Sequence, residues 1–71
     1  MKLTFHKRIY APAAVEAAVQ AFDGVAKITV TAKGDYFEVE LEAAEPGSQA
    51  EVAAEFDNYV LGETIALRGA A

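Results

Sequence analysis

The sequence predicts an α+β fold, a two-layer sandwich of antiparallel sheet under two helices. Three observations predict it: an alternating apolar and polar stretch at the start, two more such stretches joined by Gly34-Asp35, and two segments with helical apolar spacing. Seventy-one residues make one domain, 1–71, because a chain this short has surface for a single core. The 54% hydrophobic fraction includes sixteen alanines, so the bulky core comes from a short list of Val, Ile, Leu, Phe and Tyr.

The first stretch, Lys2 to Tyr10, sets Leu3, Phe5 and Ile9 in one phase and Thr4, His6 and Arg8 in the other, the period of a half-buried strand. Lys7 breaks the apolar phase, so the strand ends or bulges there, or Lys7 lies at an edge. Pro12 suits the first turn of a helix, and Val15, Ala18, Val19 and Phe22 follow at i, i+3, i+4 and i+7. A helix is expected from Pro12 to Phe22, with Ala11 as N-cap, Tyr10 as staple on Val15 and Asp23-Gly24 as the stop.

Between Val25 and Ala43, Ala26, Ile28, Val30 and Ala32 alternate with polar residues, as do Phe37, Val39 and Leu41 with Glu38, Glu40 and Glu42. A two-residue Gly34-Asp35 turn pairs Ala32 with Phe37, Val30 with Val39 and Ile28 with Leu41, and sets Lys27 opposite Glu42. Ser48-Gln49-Ala50-Glu51 matches a capping box and starts a second helix, with Val52, Phe56, Tyr59 and Val60 inward. The end has two readings. Gly62 stops the helix and frees Glu63 to Arg68 as a strand, or the helix continues and exposes Leu61 and Ile65 as an apolar stripe.

The order is β-α-β-β-α, and a right-handed crossover gives sheet order 1-3-2 with both helices on one face. This is a ferredoxin-like arrangement with its last strand short or missing. The other sheet face is expected to carry Thr4, His6, Arg8, Lys27, Thr29, Thr31, Glu38, Glu40 and Glu42.

Chemistry is sparse. His6 is the only histidine, Ser48 the only serine and already assigned as a cap, and cysteine is absent, so no triad or thiolate metal site can be assembled. The five glycines are isolated, without a phosphate-cradling cluster. No enzyme, metal or other cofactor is expected. Eleven acids against six bases give a net charge of −5, which repels nucleic acid, and no apolar window reaches membrane-span length. The N-terminus lacks the apolar run of a signal peptide, and the missing cysteines fit a reducing compartment, so a cytoplasmic location is expected.

What is left is surface. Tyr36 lies on the polar face beside the hairpin turn, and Tyr59, Leu61 and Ile65 lie late in the second helix. These four are the expected partner-binding residues.

Ile9-Tyr10, Ala18 and Phe22 in the first helix, the hairpin, and Glu55-Phe56-Asp57-Asn58-Tyr59-Val60-Leu61 resemble HxsD, the small protein of His-Xaa-Ser systems. Glu55-Phe56-x-Asn58-x-x-Leu61 is the specific part. The resemblance implies a bacterial accessory protein acting beside radical-SAM maturases that modify a His-Xaa-Ser repeat peptide. It brings no catalytic residues and favours the continuous second helix. The expected function is therefore a non-enzymatic accessory module binding a protein or peptide partner, such as that maturase or its peptide. The alternatives are a structural homo-oligomer, in the simplest case a homodimer, and a small-ligand-binding regulatory domain of ferredoxin-like type.

Overall fold

Two glycines at positive φ place the chain reversals in this computed structural model, which describes residues 1–69. Gly24, at φ 90°, releases the first helix into a strand, and Gly34, at φ 56°, closes the hairpin. Side chains rarely adopt that region, so glycine is the residue of least cost at both.

The elements are β1 (Lys2–His6), α1 (Pro12–Ala21), β2 (Ala26–Lys33), β3 (Tyr36–Ala43) and α2 (Gln49–Gly69), with a short 3-10 turn, Pro46–Ser48, before α2. The three strands form one antiparallel sheet in the order β1-β3-β2. The architecture is thus the α+β arrangement that the alternation predicts. Every expected hairpin pair is present, including Ile28 with Leu41, Val30 with Val39 and Lys27 with Glu42.

β1 is shorter than its pattern. It stops at His6, whose carbonyl accepts the N–H groups of Ile9 and Tyr10, and Lys7 turns instead to the hairpin, donating from its backbone to Asp35 and from Nζ to Gly34. Arg8 therefore lies in the turn rather than on the sheet face. Tyr10 packs edge-on against Phe5, with ring centroids 4.9 Å apart.

α1 starts at Pro12 with Ala11 as N-cap, as its sequence predicts. Ala11 has no side chain to cap with, and its N–H is taken by the Thr64 hydroxyl, 3.1 Å away, from the far end of α2. α2 does not start in a capping box. The Ser48 hydroxyl points back and donates to the Glu45 carbonyl, because Ser48 closes the 3-10 turn. The Gln49 side chain carries the junction, accepting from Ala43 N–H at 2.8 Å and donating to the Leu41 carbonyl at 3.3 Å.

Residues 62–68 are helix, and Gly62 does not break it. The fold thus has no fourth strand among the described residues. Thr64 is buried, and the Arg68 guanidinium donates to the Arg8 carbonyl at 2.7 Å, so tertiary bonds hold the last turns.

The core lies between sheet and helices: Phe5, Val39 and Leu41 below, Val15, Val52, Phe56 and Val60 above. Ala14, Ala18 and Ala53 are also buried, and such small side chains let α1 and α2 lie close. An aromatic chain, Tyr10–Phe5–Phe56–Phe22–Tyr59, runs through the core with centroid spacings of 4.9, 6.0, 5.4 and 5.8 Å.

Candidate functional site: an apolar groove beside a free strand edge

The sequence places Ala26, Ile28, Val30 and Ala32 on the helix face, and the fold puts them there, yet α1 does not cover them all. Val30 is 38% exposed and Ala32 is exposed as well. The gap is a groove of about 390 Å³ between α1 and β2, walled by Pro12, Val15, Glu16 and Val19 and floored by Ile28, Val30 and Phe37. Glu16 is its only charged lining residue; the rest is apolar.

β2 is an outer strand, and its register shows which backbone groups are free. A two-residue hairpin hydrogen-bonds the residues flanking the loop, here Lys33 and Tyr36, and bonded pairs alternate from there. Lys33, Thr31, Thr29 and Lys27 therefore bond to β3. Ile28, Val30 and Ala32 turn their N–H and C=O groups outward. Neighbouring bonds agree with this parity: Ala26 N–H goes to the Phe22 carbonyl, and Ala44 N–H to Val25. Two of the three residues that present free backbone, Ile28 and Val30, thus stand along the groove, and Ala32 continues the free edge beyond it.

The opposite sheet face is polar. Tyr36 is there, 46% exposed, edge-on to His6 with centroids 4.7 Å apart. His6 Nδ1 accepts the Arg8 backbone N–H at 3.1 Å, which commits one ring nitrogen to the turn. Glu38 holds both edge strands to the centre, bonded to Lys33 at 2.7 Å and to Lys2 at 3.7 Å. Lys33, and beside it Lys2, hold its carboxyl below the usual glutamate value. The expected Lys27–Glu42 pair is opposed in register but makes no ion pair among the described residues. Nor do these residues include a group of three or more His, Asp or Glu able to hold a metal ion.

The four residues expected to bind a partner do not converge. Tyr36 marks the hairpin end of the polar face. Tyr59, 37% exposed, leans on Phe22, while Leu61 and Ile65 lie on the other flank of α2, with buried Val60 between. The sequence does not announce the groove, although its pattern puts Val15, Val19, Ile28, Val30 and Phe37 on the apolar face and Pro12 in the first helical turn. A sign was available: β2 supplies four apolar positions to that face, and ten residues of α1 are too few to roof them along with β3.

Fold and groove together define a small α+β module with an outer strand exposed beside an apolar channel. Comparison with protein-family models, curated proteins and solved structures finds no match for the chain. No helix among the described residues is long and apolar enough to cross a membrane.

Proposed function

We propose that this chain is a non-enzymatic binding module that takes an extended segment of a protein or peptide as an added strand on β2. Alternate apolar side chains of that segment seat in the groove against α1. The observation that carries the reading is the coincidence of free backbone and apolar floor at Ile28 and Val30. In strand addition, main-chain bonds supply affinity and pockets for alternate side chains supply specificity. The groove is open along the strand, which fits a continuous segment better than an enclosed small molecule. On the polar side the segment meets Lys27 and Lys33, which favours acidic residues there and discourages pairing of two β2 edges. The resemblance to HxsD names a candidate segment, from a His-Xaa-Ser repeat peptide or its radical-SAM maturase, and rests on Glu55-Phe56-x-Asn58-x-x-Leu61.

The test is a titration of the isotope-labelled chain with a synthetic His-Xaa-Ser repeat peptide and with an extended peptide alternating apolar and acidic residues. Binding is expected to shift the amides of Ile28, Val30 and Ala32. Val30→Pro removes an outward donor without touching the ladder to β3 and is expected to weaken binding at least about tenfold, the cost of one lost hydrogen bond with its partner left unpaired. Thr4→Pro, on the far edge, leaves binding unchanged. Shifts confined to the polar sheet face, or full binding by Val30→Pro, refute strand addition at β2.

A further inference from the structure

α2 turns one bare flank away from the core. At 3.6 residues per turn, Ala54, Asn58, Leu61 and Ile65 fall within an arc of about 60°, nearly opposite Val52, Phe56 and Val60. Leu61 and Ile65 are 42% and 62% exposed. Beside them is Gly62, with right-handed backbone and open space where a Cβ would stand. Alanine would make a better helix there, and no contact inside the chain requires glycine. Glycine there leaves room for a backbone to pack closely from outside.

Charge indicates what kind of backbone fits there. Asp57 flanks the apolar pair toward the start of the helix and Arg68 toward its end. Asp57 makes no ion pair among the described residues. Arg68 spends one guanidinium donor on the Arg8 carbonyl and keeps others. The flank is therefore acidic at one end, basic at the other and apolar between, a pattern complementary to itself when reversed.

We propose that this flank pairs antiparallel with the same flank of a second copy of the chain, about a twofold axis that crosses the flank level with residue 63 along the helix. Leu61 then meets the second copy's Ile65, and Gly62 lets the helices approach. Asp57 and Arg68 stand about 9 Å and about 7.5 Å along the axis from Glu63, on opposite sides, so each Asp57 comes beside the other copy's Arg68. A parallel pairing sets like charges together, and the helix dipoles also favour the antiparallel one. The contact spans a few turns, small for a stable interface, so association is reversible and concentration-dependent. It uses none of the groove residues and leaves the β2 edge open.

Sedimentation equilibrium of the full chain, from micromolar to millimolar, tests this. A monomer–dimer equilibrium is expected, and Ile65→Glu, at an exposed position that leaves the fold intact by circular dichroism, abolishes it. Asp57→Arg weakens dimerisation by about tenfold, the scale of a close charge pair. Adding Arg68→Asp to that variant reverses both charges and restores most of the loss, which a merely structural role for either residue does not produce. A monomer at all concentrations, an unchanged dimer in Ile65→Glu, or no recovery in the double reversal overturns the proposal.

Discussion

Thr64 is the one buried polar residue among those described, and its hydroxyl serves a helix that begins 53 positions earlier. The Ala11 N–H at the start of the helix has no partner within it, and the threonine supplies the acceptor. Thr64→Val keeps the shape and removes that acceptor, so urea denaturation is expected to show a loss of about 1–3 kcal/mol, the cost of an unsatisfied donor. Thr64→Ser keeps the oxygen and loses less. Nothing local to Glu63-Thr64-Ile65 marks this role in the sequence. Alternation of Ile65 and Leu67 reads equally as a short strand, and only the distant need of Ala11 separates the readings. Ser48 illustrates the converse, since its spacing to Glu51 fits a capping box while the preceding 3-10 turn claims the hydroxyl.

At the scale of the element, α2 runs through a glycine that its sequence presents as a stop. Helix propensity disfavours Gly62, but burial of Phe56, Val60 and Thr64 on one face and the Arg68 bond beyond it outweigh that penalty. Gly62→Ala should therefore raise the stability of the monomer by about 1 kcal/mol. Thermal denaturation at low micromolar concentration, where self-association does not contribute, measures it. A decrease would mean that Gly62 has a contact inside the fold. The hairpin contrasts with α2. Period-two alternation and a two-residue turn leave one register that keeps both apolar sets on one face, so the pairing is legible from residues 27 to 42. Which of those apolar residues are covered was not legible, because it depends on how far α1 reaches across the sheet. Ile28 and Val30 read as core and became the floor of a groove.

At the scale of the molecule, the sheet concentrates acids on its middle strand and bases on its edges. Glu38, Glu40 and Glu42 line up along β3, with Lys2 on β1 and Lys27 and Lys33 on β2. Glu38 is where the two edges are tied, and its carboxyl, ordinarily at 4.5, is lowered by the Lys33 hydrogen bond first and by Lys2 in addition. A folded-state value below the unfolded one means that folding favours the ionised form. The resulting stabilisation is complete above about pH 4.5 and disappears as pH falls through the lowered folded value. Glu38→Gln should therefore lower the melting temperature at neutral pH, and the gap between variant and wild type should close on acidification. Because both lysines are exposed and Glu38 is partly so, salt should narrow the same gap at neutral pH. Melting curves from neutral to strongly acid pH, at low and high salt, measure both effects. A gap that stays constant with pH would show that Glu38 acts through its shape on the sheet rather than through its charge.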